Sequence, residues 1–283
     1  NKILDGQHYS TLFIDEAAQA LEPACWIAIR RANRVILAGD HCQLPPTVKR
    51  IAALKAGLGK TLMERIVDSK PEVVTLLDTQ YRMNEEIMRF SSSWFYDGKV
   101  KAAPITAHRG ILDYDTPIEW VDDVANDDET VGETFVGETF GRINKVEARQ
   151  VMELLQAYFE KIGKQRIIDE SIDVGIISPY RAQVQYLRHL IKKEAFFKPF
   201  RHLLSVNTVD GFQGQERDVI IVSLVRSNND GQIGFLRDLR RMNVAMTRAR
   251  SKLIIIGDHE TLAHHEFYKK LYEKKKKHKT DNF

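Results

Sequence analysis

The chain has 283 residues, 43% hydrophobic and 29% charged, which is the make-up of a folded globular protein and excludes disorder throughout. A net charge of +3 neither demands nor excludes a nucleic-acid partner. No stretch approaches the roughly 20 apolar residues of a membrane span, and no basic-then-apolar leader is visible, so no membrane partner is expected.

The distribution of charge says more than its sum. Seven lysines against Glu273 and Asp281 crowd Lys269 to Phe283, a tail that reads as a solvated end or as a phosphate contact. Asp113 to Glu133 holds nine acids and no Lys or Arg, and is expected to lie away from any nucleic-acid path. Cys25 and Cys42 lack metal-ligand spacing and are expected to be free thiols in a reducing, cytoplasmic compartment.

In chain order, an apolar run from Thr11 to Ile14 ends in Asp15-Glu16. A helix opening at Pro23 and carrying Trp26, Ile27 and Ile29 follows, then a second strand from Arg34 to Ala38 ending in Gly39-Asp40. That spacing suits a βαβ unit with two polar strand ends side by side, and in parallel sheets ligands bind at the carboxyl ends of strands. On its own an acid pair at a strand end is weak, because acids end strands simply by staying solvated. Ala56-Gly57-Leu58-Gly59-Lys60-Thr61 ends like a phosphate-binding loop, but Leu54 stands where that pattern needs glycine. Ile51 to Lys55 reads as helix, so Gly59-Lys60-Thr61 reads as a turn before a helix with Leu62, Ile66 and Val67. Val73 to Leu77 reads as a short strand closing the first unit.

Gln80-Tyr81-Arg82-Met83 leads into a helix with Ile87, Met88 and Phe90, and most of the aromatic cluster Trp94, Phe95 and Tyr96 reads as core. Residues 102–142 are poorly periodic and hold the tandem repeat Val131–Phe135 and Val136–Phe140, read as a hairpin-bearing insertion. Asn144 with Glu147 resembles a capping box, and the helix beyond it places Val151, Leu154, Leu155, Tyr158, Phe159 and Ile162 on one face. Alternation then resumes: strand Val174–Ile177, helix Arg181–Ile191, strands Leu204–Asn207 and Val219–Val225, helix Asp238–Ala249 and strand Leu253–Ile256. The class is α/β, with mostly parallel sheets flanked by helices in two lobes, 1–78 and 79–283.

Six polar segments punctuate these elements. They are Asp15-Glu16-Ala17-Ala18-Gln19, Gly39 to Pro46, Tyr81-Arg82-Met83, Ser178-Pro179-Tyr180-Arg181, Thr208 to Glu216, and Asn243 to Arg250. In this order they closely resemble motifs II to VI of superfamily 1 helicases, in particular the group that includes the nonsense-mediated-decay RNA helicase and its DNA-directed relatives. The resemblance covers nearly the whole chain. It implies a partial first RecA-like lobe followed by a complete second one, with ATP and Mg2+ as cofactors and single-stranded DNA or RNA as partner.

The resemblance also implies roles. Asp15 would bind magnesium and Glu16 would polarise the attacking water, the metal and base that phosphoryl transfer to water requires. Gln43 would sense the γ-phosphate. Arg82 and Arg248 would reach that phosphate as guanidinium groups, with a surface salt bridge as the plain alternative for Arg248. Tyr81 would stack on the base or else sit in the core beside Met83, Glu216 would bond ribose hydroxyls, and Gly214 would let the backbone approach. Pro46, Ser178, Pro179, Tyr180, Thr208 and Val209 would line the nucleic-acid path.

The family's Gly-Lys-Thr/Ser loop belongs upstream of Asp15, where only a few residues precede the first strand. The expectation is therefore half an ATP site, completed by an upstream part of the same protein, with the chain alone inactive in hydrolysis. The alternative is a non-catalytic module that binds single strands.

Overall fold

The computed structural model describes residues 6–124, 132–137 and 141–280. The chain divides into two compact units, Asn1–Leu77 and Asp78–Phe283. Among the described residues no helix is long and apolar enough to cross a membrane.

In the first unit, strands β1 (Tyr9–Ile14) and β2 (Ala32–Leu37) pair in parallel, with Thr11 opposite Arg34 and Ile14 opposite Leu37. Helix α1 (Glu22–Ile29) is the crossover between them, with Pro23 in its first turn, where a missing N–H costs nothing. Beyond β2 the chain forms one helical turn at Ile51–Ala53, a wider turn at Leu54–Leu58, and helix α2 (Leu62–Ser69). Thr61 starts α2 with a full capping box, its hydroxyl accepting from the Glu64 N–H while the Glu64 carboxylate accepts from the Thr61 N–H. Lys60 pairs with Asp68 of α2, and hydrogen bonding from that lysine lowers the Asp68 carboxyl pKa. Gly59-Lys60-Thr61 is thus a turn and helix cap.

The expected strand at Val73–Leu77 does not form. Pro71–Val73 is a single tight turn and, among the described residues, no strand pairs with Val74–Leu77; Val73, Leu76 and Leu77 are exposed. Apolar β-branched composition predicts a strand only where a neighbour supplies hydrogen bonds, and none of the described strands does so here.

The second unit is built on a five-stranded sheet. Two short strands come first, β3 (Thr79–Gln80) paired in parallel with β4 (Lys101–Ala102). Between them helix α3 (Glu85–Phe95) is capped by Asn84, and its Phe90, Trp94 and Phe95 pack around Phe267 with ring centroids 5.1, 5.1 and 5.9 Å away. Strand β5 (Ile118–Val121) and the antiparallel hairpin β6 (Thr134–Val136) and β7 (Gly141–Ile143) follow, then helix α4 (Lys145–Ile162). Strands β8 (Val174–Ile177), β9 (Leu204–Asn207), β10 (Arg217–Ser223) and β11 (Ala249–Ile256) complete the set. Helix α5 (Arg181–Lys193) joins β8 to β9, α6 (Leu239–Met246) precedes β11, and α7 (Glu266–Thr280) follows it.

The main sheet runs β5-β11-β10-β8-β9, every neighbour parallel. Its centre is continuously apolar: Val219 to Val222 and Leu253 to Ile256 are buried on both faces, as helix-covered parallel strands require. On one face α4 lays down Val151, Leu155, Tyr158, Phe159 and Ile162, with Leu154 only partly covered.

This unit also differs from expectation. The segment 102–142 contributes more than a hairpin, because Ile118–Val121 within it is an edge strand of the main sheet, with Leu253 opposite Ile118. Asp238–Ala249 is not one helix: α6 stops at Met246, and Ala249 already belongs to β11. The hairpin holds Thr134 and Phe135 of the first repeat copy; most of the second copy lies outside the described residues.

Candidate active site

In the first unit the two polar strand ends are stitched together. Ala38 N–H donates to Ile14 O (2.9 Å) and Ala17 N–H to Ala38 O (2.8 Å). A Cβ on Gly39 would stand 3.0 Å from the Ala17 nitrogen, so only glycine lets β2 end against the turn after β1. Asp15 and Glu16 are both exposed, and one Asp15 oxygen accepts the Glu16 N–H at 2.9 Å. Glu16 sits at φ 51, ψ 37, a left-handed conformation costing about 1–2 kcal/mol for a side-chain-bearing residue. Its carboxylate accepts from the Gln19 amide at 2.6 Å.

The loop after β2 is shaped by Asp40, whose carboxylate accepts from the Cys42 N–H (2.9 Å) and the Gln43 side-chain amide (2.8 Å). Asp40, His41 and Cys42 bring an oxygen, a nitrogen and a sulfur donor within 4.8 Å of one another. Magnesium takes oxygen ligands and keeps several waters, so the exposed Asp15 carboxylate fits it and the mixed trio does not. Cys25 and Cys42 are thiols outside any disulfide, with burial raising the Cys25 thiol pKa.

In the second unit the functional segments sort to opposite edges of the sheet. Gly214 and Glu216 immediately precede β10 and Arg248 immediately precedes β11, so these lie at the amino ends of strands. Gly214 has φ 75, with open space where a Cβ would point; the turn needs glycine for its backbone angle and not for clearance. Gln80 folds the segment after β3 by accepting from the Arg82 and Met83 N–H groups. Arg82 then spans to the same edge, its Nε 2.6 Å from Glu216 Oε2 and its Nη1 donating to Thr247 O at 3.0 Å. Arg248 is only 3% exposed, which removes the surface salt bridge as its role. Its guanidinium donates to Val244 O (3.0 Å), Gln215 O (3.3 Å) and Thr247 Oγ1 (3.1 Å). Tyr81 is 69% exposed while Met83 is buried, so the tyrosine is not a core residue.

Sequence reading missed the acids and the arginine behind this cluster. Arg250 lies 3.0 Å from Asp218, 2.9 Å from Asp173 and 3.7 Å from Glu216. Asp173 and Asp218 each accept the other's backbone N–H. Burial, with Asp173 alongside, raises the Asp218 carboxyl pKa against the pull of Arg250. Arg248 and Arg250 alternate about Ala249, where β11 begins; two arginines at that spacing were the available signal.

At the carboxyl edge, β8 runs into Ser178-Pro179-Tyr180 and β9 into Thr208-Val209. Ser178 N–H donates to Asn207 O at 3.2 Å, joining the two segments. Ser178, Tyr180 and Val209 have buried side chains, while Pro179 and Thr208 are half-buried; Pro46, in the first unit, is half-buried too. Strands rise about 3.3 Å per residue, so the length of β10 sets the two edges roughly 20 Å apart.

Residues 58–260 match a family model described as an AAA domain, and residues 1–50 match a second AAA-domain model. The chain belongs to the superfamily 1 helicases of the nonsense-mediated-decay helicase-like group. This helicase chain is 39% identical over 280 residues to an uncharacterised ATP-dependent helicase of Methanocaldococcus jannaschii, an alignment covering 96% of this chain and 39% of the relative. It is 39% identical to the DNA polymerase alpha-associated DNA helicase A of Saccharomyces cerevisiae, covering 90% and 39%. It is 34% identical to a regulator of nonsense transcripts 1 homolog of Neurospora crassa, covering 94% and 24%. The helicase chain thus spans about two fifths or less of the length of these relatives.

Proposed function

We propose that this chain carries the second half of an ATP-driven motor that moves along single-stranded DNA or RNA and separates duplexes. The observation that supports it best is the convergence of Arg82, Glu216 and Arg248, from three distant segments, on one sheet edge, with Ser178–Tyr180 and Thr208–Val209 at the opposite edge. One edge offers guanidinium groups to phosphate, the other a path for a strand. Asp15 would hold Mg2+, Glu16 polarises the attacking water, and Gln43 reads the γ-phosphate. Bound there, Mg2+ would supply positive charge to neutralise the phosphates.

At the strand-binding edge, Ser178, Tyr180 and Val209 offer backbone groups because their side chains are buried, and Pro179 and Thr208 offer surface. Gly59-Lys60-Thr61 is committed to a cap and to Asp68, so the phosphate anchor comes from outside these residues and the 283-residue chain alone does not hydrolyse ATP. In the complete protein each nucleotide cycle shifts grip along the strand, in the 5′ to 3′ direction.

Strand-stimulated ATPase is measured on the complete protein, on its Glu16→Gln form and on this chain alone. Activity in the first only is the expected outcome. Robust activity of the chain alone, abolished by Glu16→Gln, refutes its dependence on further residues, and unwinding only from a 3′ overhang refutes the direction. Strand binding without stimulated hydrolysis in the complete protein supports the binding-module alternative.

A further inference from the structure

The turn Gly234-Phe235-Leu236-Arg237, just ahead of the last motif, holds a large apolar ring that the reading above does not use. Ile233 and Leu236 on either side are 2% and 4% exposed, yet Phe235 between them is 64% exposed. The turn is rigidly seated. Gly234 has φ 54, and a Cβ there would run into the Arg226 guanidinium and come within 3.1 Å of the Tyr180 hydroxyl. Arg226 is itself buried and paired with Glu133 at 2.6 Å. The Tyr268 hydroxyl donates to Leu236 O at 2.8 Å.

Seated in this way, the Phe235 ring lies 5.7 Å from that of Tyr180, tilted by 48°. Tyr180 is 7% exposed and therefore acts as a support, while Phe235 is the aromatic surface open to solvent. The pair stands where β8 ends, at the edge that carries Ser178, Pro179 and Thr208. Arg181 follows Tyr180 and Arg237 follows the ring by two residues; both are exposed.

We infer that Phe235 stacks on an unpaired base of a single strand lying along this edge, with Tyr180 as its buried backing and Arg181 and Arg237 facing the phosphates. The inference rests on the reading of this edge as the strand path. An exposed ring fixed from beneath loses little freedom on stacking, and every base presents a π-face, so the contact is indifferent to sequence.

The test is fluorescence anisotropy of labelled oligo-dT and oligo-rU with this chain, over a series of salt concentrations. Phe235→Ala is expected to weaken binding about tenfold, with the dependence of log K on log salt unchanged because the lost contact carries no charge. Phe235→Trp is expected to retain affinity and to show indole fluorescence quenched by the strand. Tyr114→Ala, at an exposed ring that precedes β5, is expected to bind as the wild type does. Wild-type affinity in Phe235→Ala, or equal weakening in Tyr114→Ala, overturns the inference while leaving the strand path standing. A wild-type chain that binds neither oligonucleotide overturns the strand path and the stacking role together.

Discussion

Arg82 Nε lies 2.6 Å from Glu216 Oε2, so two side chains assigned to different parts of one nucleotide hold each other. Both are a third or more exposed, and such a pair is worth at most about 1 kcal/mol. A phosphate offers guanidinium a stronger, charge-assisted and bidentate partner, so on the proposed reading nucleotide would take Arg82 from the carboxylate. Arg250, 3.7 Å from Glu216, would then remain to hold that acid. Arg82→Ala in the complete protein is expected to lower ATP turnover by about 10³-fold or more. Glu216→Ala is expected to change unfolding free energy by less than about 1 kcal/mol. It should also narrow the difference in KM between ATP and dATP; steady-state kinetics with both nucleotides would contradict the ribose role if that difference stayed as in the wild type.

Asp15 and Glu16 are adjacent, yet the backbone sends them into different environments, since Glu16 turns into the left-handed region at φ 51. The two carboxylates should therefore fail in different ways. Glu16→Gln is expected to keep Mg2+–nucleotide binding and to lose about 10² to 10⁴ in turnover, the usual worth of a general base. Asp15→Asn is expected to raise the Mg2+ concentration needed for half-maximal activity. Mg2+ titrations of turnover and of nucleotide binding separate the two, and coincident titration curves for Asp15→Asn and wild type would argue against metal binding at Asp15.

Much of this was legible in the sequence, for reasons that are local. Val174–Ile177 and Leu204–Asn207 are short apolar runs between helical stretches, and both form strands with those bounds. The α/β class followed from their alternation. Val73–Leu77 has similar composition but pairs with none of the described strands, and pairing is not written in composition. Ile118–Val121 was hidden for the opposite reason: surrounded by acids, it joins β11 through partners more than a hundred residues away. At the site, Arg82, Glu216 and Arg248 could be named from motif order, whereas the Asp173–Asp218–Arg250 support depends on which strands adjoin.

The hairpin is moored by charge. Glu133 is buried between Arg226 and Arg142, each 2.6 Å away, and the Arg142 guanidinium also lies over the Phe135 ring at 4.2 Å. Breaking a buried pair leaves an uncompensated charge, which typically costs about 3–5 kcal/mol. Glu133→Ala is expected to destabilise the second unit by that amount, and Arg226→Ala by less, because Arg142 still pairs with Glu133. Combining Glu133→Leu with Arg226→Met should recover part of the loss, because both desolvation costs then vanish. Urea denaturation of the four proteins tests this; a double variant as unstable as the two single losses added together would show that the charges themselves are required.

Glu147 presents a different case, a buried carboxyl held by a hydroxyl and a backbone N–H. It accepts from Ser223 Oγ at 2.6 Å and from Val225 N–H at 2.7 and 2.9 Å, while Asn144 caps α4 through the Glu147 N–H. The capping-box pattern thus supplies only one of its two reciprocal bonds, since this carboxyl turns inward to the end of β10. There it holds Val225 at φ 72, a left-handed conformation that a β-branched residue adopts only when it is held. Burial raises the Glu147 pKa well above the usual carboxylate range, with the Asp123 and Asp258 charges adding to the effect against the hydrogen bond from Ser223. The folded state therefore binds a proton that the unfolded chain, with its ordinary pKa near 4.3, has released above that pH. The stabilising contribution is complete below the unfolded pKa and is lost as pH rises through the raised folded value, so stability should fall as pH is increased. Glu147→Gln keeps the shape without the titration and is expected to flatten this dependence. Glu147→Ala leaves the Val225 N–H and Ser223 hydroxyl without this acceptor and is expected to cost about 2–4 kcal/mol at all pH values. Thermal unfolding across a pH series reads both effects, and a wild-type midpoint that climbs with pH relative to Glu147→Gln would reverse the assignment of a neutral Glu147.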